Sequence, residues 1–84
     1  MLMGFNTDIE HNGLHFHVQT EPRQDTTIDT TVYLRGAVIH KCKTSYKNML
    51  GSPDFSEEAL KHRLQEQHRQ VIARIRSGEI KPAN

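Results

Sequence analysis

His15 and His17 stand two residues apart in a segment that alternates polar and apolar side chains, so on a strand both imidazoles project from one face. Asn12-Gly13 precedes them, and this dipeptide supplies the positive φ angles of a two-residue type I′ turn at little cost. A hairpin of residues 5–11 and 14–20 with that turn fixes the register. Glu10 then faces His15, Asp8 faces His17, Ile9 faces Phe16 and Thr7 faces Val18. Two imidazoles and two carboxylates on one face are donors that Zn²⁺, Mn²⁺ or Fe²⁺ accept. The same four residues, Asp8, Glu10, His15 and His17, also make two ordinary acid and imidazole cross-strand pairs, each worth about 0.2–1 kcal/mol.

His40 and Cys42 repeat the two-residue spacing and suggest a nucleophile with a neighbouring base. Side chains two apart on a strand stand parallel, and the sequence names no third orienting group or oxyanion donor. A buried thiol is the simpler role for the single cysteine. No Gly-rich phosphate loop follows a strand, because the five glycines are scattered one to a turn. These absences predict a non-enzymatic chain with no cofactor and no small-molecule substrate.

A third group is basic. Arg35, Lys41, Lys43 and Lys47 run without an intervening acid, and Tyr33 shares the outward face expected for Lys41 and Lys43. A cationic sheet bearing an aromatic is one way to hold single-stranded nucleic acid by phosphate contact and stacking. Lysines on an outer strand also serve to block edge-to-edge pairing.

The elements that must position these residues follow from period and punctuation. Residues 21–26 contain Pro22 and no apolar side chain and read as a loop, residues 27–34 are rich in β-branched types, and residues 37–46 form a fourth strand after Arg35-Gly36. Two registers suit that last hairpin. A strict two-residue turn pairs Val32 with Ile39 and Ile28 with Lys43. A turn closed by Gly36 as a bulge pairs Val32 with Val38 and Ile28 with Cys42, and it is preferred because Arg35 resists positive φ. It groups Ile28, Val32, Val38 and Cys42 inward and leaves Tyr33 and Ile39 outward.

Residues 45–50 allow one helical turn. The main helix begins at Asp54 or Ser56, with Asp54 and Glu57 in capping-box spacing, and ends at Ser77 before Gly78. Leu60, Leu64, Val71, Ile72 and Ile75 form its apolar stripe, and His68 falls on that stripe as a ring expected to bond a sheet group. The fold class is therefore α+β, a four-stranded antiparallel β-meander followed by one long C-terminal α-helix (ββββα), with a single domain over residues 1–80 and a flexible tail at 81–84.

The chain has 84 residues, with 11 Lys and Arg against 10 Asp and Glu. Up to Leu34 five acids oppose one base, a net of −4, and from Arg35 onward ten bases oppose five acids, a net of +5. One cysteine forms no internal disulfide, and an unstapled chain of this size reads as cytoplasmic. No apolar run suffices to span a membrane, and the start at Met1 lacks the pattern of a signal peptide.

Three stretches carry a resemblance: Gly4-Phe5-Asn6-Thr7-Asp8-Ile9, Phe16-His17-Val18-Gln19-Thr20-Glu21, and Thr44-Ser45-Tyr46 followed by a helix bearing Glu66-Gln67-His68. Together they resemble a family of short, uncharacterised bacterial proteins, a likeness that covers nearly the whole chain and transfers no activity and no site. The element order is similar to the PUR and PC4-like single-strand-binding folds, which implies dimerisation through sheet and helix.

A helix over residues 56–77 is about 33 Å long, whereas seven-residue strands reach about 23 Å. The helix is thus expected to overhang the sheet and cover only one face. This points to a homodimer or a protein partner met by Tyr33, Ile39, Leu64, His68, Val71 and Ile75. The leading expectation is a small non-catalytic homodimeric interaction or regulatory module that binds another protein. The alternatives are a single-stranded nucleic-acid binder using Tyr33, Arg35, Lys41, Lys43 and Lys47, and a metal-binding hairpin.

Overall fold

The computed structural model describes residues 4–83; Met1 to Met3, where no signal-peptide pattern was expected, and Asn84 of the expected tail lie outside the described residues. Four strands, β1 (Phe5–His11), β2 (Leu14–Pro22), β3 (Thr27–Leu34) and β4 (Ala37–Ser45), form one antiparallel sheet in the order β1-β2-β3-β4. A short α1 (Lys47–Leu50) leads to the long α2 (Glu57–Arg76), giving the ββββα architecture.

The first hairpin has the register that Asn12-Gly13 dictates, with φ of 52° and 78° at those residues and Glu10 opposite His15 and Asp8 opposite His17. The second hairpin differs from both expected registers. Arg35 takes φ 54° and Gly36 φ 80°, so the turn is again tight, with Leu34 opposite Ala37 and Tyr33 opposite Val38. A bulge then intervenes, and Val32 pairs with His40, Thr30 with Cys42 and Ile28 with Thr44. Without the bulge, a two-residue turn would set Lys41 and Lys43 opposite the inward Thr30 and Ile28. The extra residue reverses the phase of β4 and keeps both lysines in solvent. Its other consequence reverses two assignments: Ile39 packs against the core, and Val38 is exposed at 54%.

Arg35 pays for this turn with a backbone conformation that Asn adopts far more readily. Arg35→Asn is therefore expected to stabilise the chain by about 0.5–1 kcal/mol, read as a rise in urea midpoint at unchanged m-value. A fall in midpoint would mean that the arginine side chain contributes more than the strain removes.

Helix α2 starts where Ser56, in extended conformation, accepts a hydrogen bond from the Ala59 N–H at 3.1 Å. Ser56 is thus the cap, and Asp54 lies outside the helix. At the other end Gly78 takes φ 84° and the Glu79 and Ile80 N–H groups donate to the Arg74 carbonyl, which turns Ile80 back into the core at 5% exposure.

The helix does not overhang the sheet. β2 and β4 have nine residues each and α2 has twenty, so strands and helix are both about 30 Å long. Leu60 near one end of α2 and Ile75 near the other are both buried. The core falls into two apolar clusters. One contains Ile9, Phe16, Val18, Val32, Leu34, Val71, Ile75 and Ile80; the other contains Ile28, Leu60 and Leu64, with Phe5, Tyr46 and Phe55 against it.

Candidate binding groove beside β4

Between the two clusters lies a polar belt that uses one threonine from each strand. Thr44 of β4 donates to Gln67 Oε1, and Gln67 Nε2 donates to Thr30 Oγ1 at 2.9 Å and to the Ile28 carbonyl at 3.2 Å. Thr30 and Thr20 share a hydrogen bond of 2.7 Å, Thr20 meets His68 Nδ1 at 2.7 Å, and His68 Nε2 meets Thr7 Oγ1 at 2.8 Å. With His68 neutral and protonated on Nε2, every hydroxyl and amide in the chain points the same way, from Thr44 to Thr7. A second proton on Nδ1 would turn the Thr20 hydroxyl back onto Thr30, which already receives the Gln67 amide. Burial of the ring lowers the His68 pKa, with the charge of His17 adding to the effect.

The sequence expectation that His68 bonds a sheet group is met twice over, but its placement at a partner face is not. His68, Leu64, Val71 and Ile75 are all buried under α2 in the chain's own core. Ile39 packs there as well, and Tyr33 is half-buried with its ring 6.0 Å from that of His17. The apolar stripe of α2 packs within the chain, on a helix two residues shorter and against a β2 two residues longer than the sequence suggested.

The other expected sites are also placed. His15 Nε2 lies 3.1 Å from Glu10 Oε2, and His17 Nδ1 lies 2.7 Å from Asp8 Oδ1. These are two separate pairs in adjacent rows, and no group of three metal-binding side chains comes together among the described residues. Cys42 is half-buried against the larger apolar cluster. His40 faces Val32 across the ladder, with its Nε2 buried and lacking a hydrogen-bond partner.

The basic strand is more compensated than its sequence implies. Lys43 stands opposite Asp29, and its Nζ lies 3.9 Å from Asp25 Oδ2. The Thr27 hydroxyl, 2.5 Å from Asp25, holds that carboxyl below its usual range against the opposing effect of desolvation, and Lys43 adds to the lowering. Arg23 bridges Glu21 at 2.8 Å and the buried Asp29 at 3.2 Å. Among the described residues, Arg35, Lys41, Lys47 and Arg63 form no ion pair.

One surface of the fold is open. Helix α2 packs over β2, β1 and β3, and β4 is the last strand of the sheet. The inward side chains Cys42 and Thr44 consequently stay half-buried, and they floor a groove of about 150 Å³ whose far wall is the flank of α2. Gln67 and Val71 complete its floor, while Arg63 and Arg74 stand in the wall with Glu66 and Gln70. Thr44 and Gln67 are the terminal pair of the polar belt, so the floor is held in place by hydrogen bonds to the sheet centre. Arg63 and Arg74 were not among the residues expected at a site, because the groove depends on how far α2 sits from β4.

No helix among the described residues is long and apolar enough to cross a membrane. No family model, curated protein or solved structure matches the chain.

Proposed function

We propose that the chain is a non-catalytic protein-binding module whose binding site is the open flank of β4. The observation that carries this reading is the offset of α2, which covers the inward faces of three strands and leaves the fourth with an unpaired edge and a groove beside it. A sheet edge presents a row of unsatisfied N–H and C=O groups, and a partner segment that pairs with them gains main-chain hydrogen bonds without distorting the host. The exposed Val38 at one end of β4 offers apolar contact on the same edge.

The opposite sheet face is less suited to a partner. Its histidines are held by Asp8 and Glu10, and its buried Asp29 is held by Arg23. Four acids, Asp8, Glu10, Glu21 and Asp29, share that face with Lys41, Lys43 and Arg23, so a polyanionic backbone laid across it would meet like charge, which weakens the nucleic-acid reading.

Photo-crosslinking tests the site. Benzoylphenylalanine in place of Val38 is expected to give discrete protein adducts that survive nuclease, while the same probe in place of Gln65, exposed on α2, gives none. The proposal fails if both positions give one adduct pattern, or if the Val38 adducts are nucleic acid whose binding weakens steeply with salt. An adduct of twice the chain mass would assign the site to a second copy.

A further inference from the structure

We infer that the occupant of the β4 flank is an extended acidic segment of another protein, bound as a fifth strand with acids at alternate positions; this rests on β4 being the binding site. Three features of the flank select that occupant.

The first is shape. The groove of about 150 Å³ accommodates one or two side chains, whereas an α-helix needs a channel about 10 Å across. Exposure alternates along β4, with Lys41, Lys43 and Ser45 exposed and Cys42 and Thr44 half-buried. A strand added at this edge continues that alternation, setting one row of side chains beside the lysines and the other over the groove.

The second is charge. Lys41 and Lys43 lie on the solvent face of the edge, Arg63 and Arg74 border the groove, and Arg35 and Lys47 flank the ends of the strand. Arg74 is engaged by Glu79 at 2.6 Å and Lys43 is shared with Asp25 at 3.9 Å, but Arg35, Lys41, Lys47 and Arg63 are uncompensated among the described residues. Among the described residues, Glu66 is the one acid in the groove wall. Carboxylates at alternate positions of the incoming strand would meet Lys41 and Lys43, and an inward acid would meet Arg63.

The third is the exclusion of a second copy. Two-fold antiparallel pairing of β4 with itself about its centre, at residue 41 or 42, sets Lys41 opposite Lys41 or Lys43, a like-charge contact on the cross-strand row that disfavours the full-length pairing.

Selection of a random library of twelve-residue peptides against the immobilised chain tests the inference. Enriched peptides are expected to carry Asp or Glu at alternate positions and no internal proline. On titration they should perturb amide resonances of residues 37–45. The variants Lys41→Glu and, separately, Arg63→Glu, neither of which breaks an ion pair among the described residues, should each weaken them by about tenfold or more, at an unchanged thermal midpoint that shows the fold intact. Peptides that map to β4 without the acidic alternation, or that bind the charge-reversed variants equally well, would overturn this inference and leave the binding site standing. Absence of enrichment, or binders that map elsewhere, would overturn the site along with it.

Discussion

Leu64→Ala is expected to remove about 3 kcal/mol of stability, within the range for leucine truncation at fully buried sites. Leu64 has no exposed surface and belongs to the smaller apolar cluster, where only Ile28 and Leu60 are buried beside it. The lost methyl groups take their transfer free energy with them, and the cavity adds to the cost because the surrounding backbone is pinned. On one side stands the polar belt, whose Gln67 holds the Ile28 carbonyl, and on the other the Ser56 cap fixes the start of α2. A chain of 84 residues has about 4–13 kcal/mol in total, so this one change consumes a large part of it. The urea midpoint should fall by about 2 M at unchanged m-value. A loss below about 1 kcal/mol would mean that the cluster collapses around alanine, and the belt would then not be the rigid divider described above.

How much of this was legible in the sequence depends on whether a feature is local. Asn12-Gly13 fixes the first hairpin because both residues favour the φ angles that the turn needs, and every cross-strand pair follows from it. Arg35-Gly36 makes the same turn with a residue that resists it, so the sequence favoured a different turn. The bulge beyond it has no residue signature; its reason is the need to keep Lys41 and Lys43 out of the core. The ends of α2 were readable to within about two residues, since Asp54 and Ser56 are both good caps and only the three-dimensional path chooses between them.

The polar belt was half visible. His68 on an apolar stripe demands a partner, but its partners, Thr7 and Thr20, lie 61 and 48 residues away. A threonine at an inward position of each strand, read together with Gln67-His68, was the available clue. β-Branched residues are so common in strands that the clue passed as propensity. The β4 groove was not legible at all, because it is an offset between α2 and the sheet that no single residue encodes. Leu64, His68, Val71 and Ile75, expected at a partner face, are buried in the chain's own core for a related reason: α2 is two residues shorter and β2 two residues longer than expected, so the helix and the longer strands match in length.

The belt also gives the chain an expected dependence on pH. His68 is 6% exposed, and desolvation, followed by the charge of His17, lowers its pKa below the ordinary value near 6.5. A histidine whose folded pKa is depressed resists a proton that the unfolded chain accepts. Its stabilising contribution is therefore complete above the unfolded pKa and declines as pH falls through about 6.5 toward the folded value. Stability should thus rise with pH across that window. His68→Leu removes the titration and leaves the Thr20 and Thr7 hydroxyls short of a partner, at an expected cost of about 2 kcal/mol at pH 7.5. It should also flatten the change in urea midpoint between pH 7.5 and 5. The His15 and His17 pairs are present in both proteins, so the difference between the two profiles reports His68 together with its coupling to His17. Superimposable profiles would show that the ring accepts its second proton without cost. That outcome would require the hydroxyls of Thr20 and Thr30 to reverse freely, and the one-way hydrogen-bond chain from Thr44 to Thr7 would lose its energetic basis.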